Sequence, residues 1–554
     1  MSPRTRALLL AVLAFLTVRL VWLYIVPAWN AIVTDFPNYY VSAWAVRHGE
    51  PLTELYDPLW FDLEKHRAGI ERPAALFNYF PPMNALIMWP LADLSPITAK
   101  RAFTVVNLIA LIGIVHLTSR SSGLKWEVAA LVALLGGDAL GNNFTYGQFY
   151  IVLAFLMLLS VALSKRYPAI AGFSAAVGAM TKIFPGFLLL YFAIRREYRA
   201  LMWSVLALAL LAGLGFIALG WEPHRTYLIE VFARSMRGEV GDPYNIHWNT
   251  LQALVRRALV GDDLLNPHPI VNAPWLFFFV RPLISFAVAA VTLYAIFQAR
   301  QRHPLLSYGA VIAMVSLVTP SQASYHQFLF YPTIAWLVTR EGTWVRRVFP
   351  AVLFAMLCSN YMGATAHYDS GVSMILAFPR VFIILVLWMI CLWALDPPAV
   401  RVSNRLVALT AIVLAVCAAL AFSENRRWSA DVSDGATHVP SSWSASSEIR
   451  PRFVRGRLVT SVLSADGFAD SGKAAPEAST SPDGKWTAFA SNERGNWDIA
   501  IRSNQSGEIR YLTSSSGNDL TPAFSPDGKF VYFASDRHRG YRFTTIYRVS
   551  VDGR

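Results

Sequence analysis

The sequence predicts a polytopic α-helical membrane protein, with about thirteen transmembrane helices, that carries a small all-β segment at its C-terminal end. Three observations predict it. The chain is 55% hydrophobic and 15% charged, with a mean hydropathy of +0.41. Apolar runs of roughly 16 to 25 residues, the length a helix needs to cross a bilayer, recur from Leu8 to Phe422. From Ser423 on, Ser, Thr, Gly and Asp dominate, and a strand-like repeat appears. Length alone would suggest three or four soluble domains at roughly 150 residues each, and the apolar runs overrule it. The net charge of +13 sits mostly in short loops between apolar runs, so it reads as a topology signal and not as a nucleic-acid footprint. Cys358, Cys391 and Cys417 all lie in apolar runs, which argues against a disulfide framework or a metal site.

Taken in order, the first span covers about Ala7 to Val26. Arg4 and Arg6 before it place the N-terminus inside, and no Ala-x-Ala cleavage pattern precedes Pro27, so it reads as a retained anchor. Residues 27–101 form an outer loop. Within it Phe36–Arg47 and Leu59–Arg67 mix aromatic and charged residues as interfacial helices do, and a short Pro-interrupted run ends at Leu94. Further spans are expected at about Ala102–Thr118, Trp126–Leu140 and Phe149–Ser164, with Gly141–Gln148 outside. The run Ala169–Ile194 has basic residues at both ends, yet 26 residues make a single helix of only about 39 Å. Two short spans meeting at Thr181–Gly186 resolve this, with Lys182 at the buried tip. Later spans are expected at about Leu201–Leu219, Trp275–Gln298, Leu305–Thr319, Phe328–Val338, Val348–Met362, Val372–Leu395 and Leu406–Phe422. The segment Gly220–Asn272 would lie outside, and the crossing part of Val372–Leu395 would begin at Val381.

The domain organisation is therefore 1–422 in the membrane, a linker with room for a few strands over 423–478, and a repeat over 479–554. The repeat is explicit: Ser481-Pro482-Asp483-Gly484-Lys485 returns 44 residues later as Ser525-Pro526-Asp527-Gly528-Lys529. Pro-Asp-Gly makes a turn, and the alternating residues after it make a strand. The period and the motif resemble the blades of a TolB-type propeller, about two of them, where closed propellers need at least four.

No Walker loop, dinucleotide glycine pattern, serine elbow or zinc spacing is present in the sequence, so neither a cofactor nor a metal is predicted. What remains is a set of polar residues converging on one mouth of an apolar bundle: Asp35, Tyr39, Tyr40, Asn78, Tyr79, Gln148, Lys182, Asn249, Tyr325 and His326. Each has a plainer reading. Asp35 could cap the helix that follows it. Lys182 could reach towards an interface. His326, Tyr39 and Tyr40 could be interfacial anchors, and Gln148 and Asn249 could satisfy backbone groups.

The order of the motifs adds to this. Asp35-Phe36-x-x-Tyr39-Tyr40, then Gly49 to Leu55-Tyr56-Asp57, then Phe77-x-Tyr79-x-Pro81-Pro82 resemble the polyprenol-phosphate-mannose-dependent α-(1→2)-mannosyltransferases, glycosyltransferase family 87 of the GT-C class. Gly147-Gln148, Lys182-Ile183-Phe184-Pro185 and Asn249-Thr250-Leu251 resemble later elements of that family. The stretch Thr319–Gln327 departs from its pattern, with Tyr325 where the family has Trp and His326 in place of two histidines. The resemblance implies a GT-C fold in a bacterial cytoplasmic membrane, with the site and the tail extracytoplasmic. It implies an inverting hexosyltransferase taking a sugar, by resemblance mannose, from a polyprenyl-phosphate donor to a lipid or glycan acceptor. Asp35 would be the general base, Lys182 and then His326 would bind the donor phosphate, and the other named residues would bind substrate. The repeats would contact another protein or a glycan. The rival reading is a lipid or sugar transporter, which would be expected to show broken helices in both halves; only the break near Lys182 is evident in the sequence.

Overall fold

In the computed structural model, the described residues are 2–71, 77, 80–239, 242–262, 265–300, 302–340, 343–361, 365, 368, 370–396, 404–439, 449–454, 457–462, 478–540 and 544–552. They form a membrane-embedded helical body followed by β-sheets. The first helix, α1 (Pro3–Asn30), is one continuous element. Pro27 therefore lies within it, because the wider π-helical turn Val21–Ile25 ahead of it absorbs the lost hydrogen bond. Then come α2 (Phe36–His48), α3 (Pro58–Arg67) and two 3₁₀ turns (Pro82–Leu86, Trp89–Leu91) in place of a dipping helix. α2 is not an interfacial helix. Phe36, Tyr39, Val41, Ala43 and Ala45 are fully enclosed, and the helix is wrapped by α3 and the Pro82–Leu86 turn.

The core continues through α4 (Pro96–Ser122), α5 (Trp126–Leu134), α6 (Gly137–Thr145), α7 (Tyr150–Leu163) and α8 (Pro168–Thr181). The expected break follows: Lys182 is extended, Phe184–Gly186 is a 3₁₀ turn, and α9 (Phe187–Ile194) resumes. Pro185 and Gly186 suit that turn, as the sequence suggests. α10 (Tyr198–Leu219) packs along α8. Gly172 makes the approach possible, since a Cβ there would stand 2.6 Å from the Ser204 nitrogen. After the short helices α11 (Glu222–Thr226), α12 (Phe232–Arg237) and α13 (Leu251–Leu259) come α14 (Pro274–Gln298), α15 (Pro304–Val318), α16 (Tyr331–Val338), α17 (Trp344–Leu357), α18 (Pro379–Leu395) and α19 (Asn404–Ser433).

Among the described residues, five helices are long and apolar enough to cross a membrane: Pro3–Asn30, Pro96–Ser122, Tyr198–Leu219, Pro274–Gln298 and Leu406–Ser433. Two bent pairs, α6 with α7 at 114° and Gly371–Ala377 with α18 at 60°, bring this to seven. Other segments among the thirteen expected form shorter apolar helices such as α8, Phe184–Ile194 and α15.

α19 runs on to Ser433, into the stretch expected to be linker. Beyond it, β1 (Thr437–His438) joins β10 (Thr545–Ser550), β9 (Phe530–Ser535) and β8 (Asp519–Phe524) in one antiparallel sheet. β4 (Ser479–Thr480), β5 (Trp486–Ser491), β6 (Asp498–Ser503) and β7 (Ile509–Tyr511) form a second, and β2 (Ile449–Val454) pairs with β3 (Arg457–Val462) as a hairpin. So part of the expected linker supplies strands. The repeat has a local cause. Ser481 donates to Asp483, whose Oδ1 accepts from the Lys485 N–H, while the Ser481 Oγ accepts from the Trp486 N–H. Ser525, Asp527, Lys529 and Phe530 reproduce all three bonds.

Candidate active site

Asp35 stands between α1 and α2. Its backbone has φ 76° and ψ −44°, a sparsely populated conformation for a non-glycine residue, held here by its surroundings. Pro37 in the first turn pre-sets the helix that follows. The Asp35 side chain makes no capping hydrogen bond. Instead its Oδ2 accepts from Gln148 Nε2 at 2.6 Å, and the Gln148 Oε1 accepts from the Tyr39 hydroxyl at 2.8 Å. The Tyr325 hydroxyl favours the ionised carboxylate as well. The strained backbone turns the carboxylate away from its own helix and towards the bend between α6 and α7. Burial pushes the Asp35 carboxyl above its ordinary range, against the Gln148 hydrogen bond and the charge of Lys182.

Lys182 faces the same space. Its ammonium lies 3.8 Å from the centre of the Phe80 ring, 5.4 Å from Tyr150 and 5.8 Å from Tyr39. Three ring faces thus box a cation, a favourable electrostatic arrangement that leaves its N–H groups available. The plainer reading, in which Lys182 reaches for an interface, is not what the structure shows. The extended residue after α8 turns it inward, towards Asp35, with which it interacts electrostatically.

His326 lies on the 3₁₀ turn Ser324–Phe330. Its Nε2 is 2.5 Å from the Tyr150 hydroxyl, and its Nδ1 is 3.1 Å from the Ala323 nitrogen. Nδ1 also lies 3.0 Å from the Ala323 carbonyl oxygen, so which ring nitrogen carries the proton sets the direction of the bond to Tyr150. Both ring nitrogens are therefore engaged, and His326 acts on the space through Tyr150. Tyr325 stacks on His326 and tilts against Tyr150. The sequence reading did not include Tyr150, because it sits inside an apolar run, two residues after Gln148. Phe80 was likewise absent from it, and only the tertiary fold brings its ring over Lys182.

The structure thus gathers Asp35, Tyr39, Gln148, Lys182, Tyr325 and His326 at one place. Tyr40 is turned elsewhere: it stacks on Phe36 and donates to the Leu94 carbonyl, so it holds the Pro-rich turn and is not part of the cluster. The helical spacing explains it, since adjacent residues on α2 cannot share a face. Asn249 also stands off. It occupies a left-handed backbone position (φ 42°), and its amide donates to the Ile246 carbonyl. Its loop is nonetheless tied to the turn carrying His326, through Thr250 to the Pro320 carbonyl and the Gln322 N–H to the Trp248 carbonyl. Asn78 and Tyr79 lie outside the described residues. Asp138, a carboxylate inside an expected span, pairs with Arg19 at 3.0 Å and accepts from Tyr24 and the Asn360 N–H. Among the described residues no group of three or more His, Cys, Asp or Glu is placed to hold a metal ion.

Among the described residues, this cluster holds one carboxylate, Asp35, opposite the ring-boxed ammonium of Lys182. Residues 78–320 match the model of glycosyltransferase family 87. Asp35 lies ahead of the matched residues and His326 just beyond them, while Gln148, Lys182 and Asn249 fall within. The chain is 26% identical over 289 residues to the polyprenol-phosphate-mannose-dependent alpha-(1-2)-phosphatidylinositol mannoside mannosyltransferase of Mycobacterium tuberculosis, covering 48% of this chain and 63% of that protein. It is 27% identical over 294 residues to the protein of that name from Mycolicibacterium smegmatis, covering 48% and 62%. It is 26% identical over 290 residues to the corresponding pentamannoside mannosyltransferase of Mycolicibacterium smegmatis, covering 49% and 66%. The chain therefore spans somewhat less than two thirds of the length of these relatives.

Proposed function

We propose that the protein is an inverting glycosyltransferase that moves a hexose, mannose by analogy with its relatives, from a polyprenyl-phosphate donor to a glycolipid or glycan acceptor. The observation that carries this reading is the Asp35 carboxylate, held by Gln148 in a strained backbone and opposite the boxed ammonium of Lys182. Asp35 takes the proton of the acceptor hydroxyl as that oxygen attacks the anomeric carbon. A new C–O bond forms on one face, the C–O bond to phosphate breaks on the other, and the polyprenyl phosphate leaves with the bonding pair. A carboxyl whose pKa is lifted by burial is a better match to this step than an exposed one. Lys182, with the Tyr150 hydroxyl beside it, stabilises the charge that develops on the leaving phosphate. Asn249 contributes through the loop it shares with the His326 turn. We place the site and the tail on the extracytoplasmic side of a bacterial cytoplasmic membrane, since each expected inner loop is basic.

The transporter reading asks for a matching polar break in the second half. A second break does exist before α18, and the buried charge beside it, Arg380, is taken up by the Leu357 and Ser359 carbonyls, where Lys182, among the described residues, keeps its N–H groups free of such bonds. The deciding experiment supplies a panel of polyprenyl-phosphate sugars and an external acceptor to sealed right-side-out vesicles, with mass spectrometry of the product. Transfer is expected with one donor, and Asp35→Asn is expected to lower it roughly 10²- to 10⁴-fold while the protein still inserts. Undiminished turnover in that variant removes Asp35 as base.

A further inference from the structure

The helical body holds a second enclosed lysine that the reaction above leaves unused. Lys100 sits in the second turn of α4 with none of its surface exposed. Its ammonium donates to the Thr145 carbonyl at 2.8 Å and lies 5.3 Å from the centre of the Phe36 ring. It also presses on the backbone of Gly147, where a Cβ would stand 2.8 Å from Nζ. Gly147 has φ +61°, so glycine is required there twice over, by its conformation and by the lysine. Among the described residues no carboxylate makes an ion pair with Lys100, and the negative charge it feels is Asp35. Enclosing an unpaired ammonium costs several kcal/mol, a cost that Leu or Met at the same position would avoid. An ionisable group at such a place is a functional candidate by default.

The surroundings say what it does. Thr145, Gly147 and Gln148 belong to the bend between α6 and α7, and Gln148 is the residue that holds Asp35. Phe36, the ring over which the ammonium lies, is the neighbour of Asp35 in sequence. Lys100 therefore touches both strands of chain that set the carboxylate, and being enclosed it touches no substrate. We propose that Lys100 is a positioning residue: it fixes the Thr145–Gln148 bend against Phe36, so that Asp35 is aimed into the site and kept ionised until the acceptor arrives. This rests on Asp35 being the base. The two lysines then divide the work, Lys182 bordering the space where phosphate leaves and Lys100 standing behind the carboxylate.

The charged and titratable groups around Asp35 are Lys100 on α4, Lys182 after α8, Tyr39 on α2, Tyr146 and Tyr150 on either side of Gln148, and Tyr325 and His326 on the 3₁₀ turn. Removing one of the two nearby ammonium groups raises the pKa of the carboxylate. The test is transfer rate against pH for the full chain in lipid nanodiscs, comparing wild type, Lys100→Met and Lys100→Arg. In the Met variant the acid limb of kcat/KM is expected to move up by about 1 pH unit. Its kcat is expected to fall roughly tenfold, with the donor KM within about twofold. Arg, which keeps the charge, is expected to restore the limb. If the Met variant does not insert, Lys100→Gln against Lys100→Arg reads the same shift. A neutral variant whose acid limb stays in place overturns the proposal even if kcat drops, since that is what a lysine of structural importance alone would give. Wild type without transfer on any donor removes both this role and the reaction it serves, which separates the two failures.

Discussion

Two regions of the molecule bury charge, and they do it in opposite ways. At the candidate active site, Asp35, Lys100 and Lys182 share one space, yet their nearest polar partners are neutral: Gln148, Tyr325, the Thr145 carbonyl and ring faces. Where the β-sheets meet the helical body, a set of buried charges have opposite ones in contact. Glu239 lies 2.5 Å from Arg427 and 2.9 Å from Arg237. Arg234 reaches Asp536 at 3.2 Å, and Arg537 reaches Asp519 and Asp434, each at 2.9 Å. Asp431, on α19, takes the Ser516 N–H and hydroxyl together with His538, whose ring stacks on Trp428. Burial by itself would raise the Glu239 carboxyl, but the charges of Arg427, Arg237 and Arg256 outweigh it and hold it down to about 2. Paired charge of this kind fixes a geometry. Charge left with neutral partners is costly in the resting protein and becomes useful when a substrate brings new charge. The joint thus ties the sheets to segment 222–239 and to α19.

This contrast is open to breaking. Its largest expected effect is at Lys182. Lys182→Met removes a cation while keeping the ring box filled, so transfer is expected to fall roughly 10²- to 10³-fold. Thermal unfolding should show no loss of stability, because an unpaired charge has gone. A variant that transfers normally, or one that melts well below wild type, would contradict the assignment.

At the joint the signs reverse. Glu239→Gln takes the carboxylate from Arg237 and one of three from Arg427, and is expected to weaken the joint by roughly 1–3 kcal/mol. Limited proteolysis between α19 and β4 should then quicken, with transfer changed less than tenfold. Equal resistance of both proteins to protease would show that the ion pairs do not hold the joint.

The smallest expected effect concerns Asp498 on β6. Burial and then the neighbouring Asp519 push its carboxyl up to about 7, and among the described residues its Oδ1 has no hydrogen-bond partner. An acid raised above its unfolded value of about 3.9 favours the folded sheets fully only below that value, and this contribution is lost as pH rises through 7. The sheets should accordingly melt earlier at pH 8 than at pH 5, and Asp498→Asn should flatten that difference in a scanning measurement. An Asn variant as pH-dependent as its parent would place the sensitivity elsewhere.

Much of this was legible in the residues, and the parts that were not have identifiable causes. The break at Lys182 followed from basic residues at both ends of one apolar run together with Pro185 and Gly186, all local signals. The N-cap reading of Asp35 and its reading as a functional carboxylate were equally compatible with the sequence. What sets aside the side-chain cap is a backbone angle and a glutamine 113 positions away that donates to the carboxylate. α2 was expected at an interface because its composition is mixed. Its aromatic residues are instead core, since α3 and the Pro82–Leu86 turn enclose it. Tyr40 was read together with Tyr39 from adjacency, and the helix sends the two to different neighbours. β1 was read as linker because two residues carry no periodic signal, and it becomes a strand only because β10 offers it an edge.

Helix length, apolar periodicity and turn chemistry act between neighbours a few positions apart. The residues themselves therefore determined that this is a membrane-embedded helical protein with a repeating all-β tail, and where its chain must break. Which lysine is boxed by rings opposite Asp35, which is enclosed against Thr145, and which arginines pair with the sheets depend on contacts between segments tens to hundreds of positions apart. Those were decided by packing in three dimensions, where the cost of enclosing a charge is set by whatever the fold places beside it.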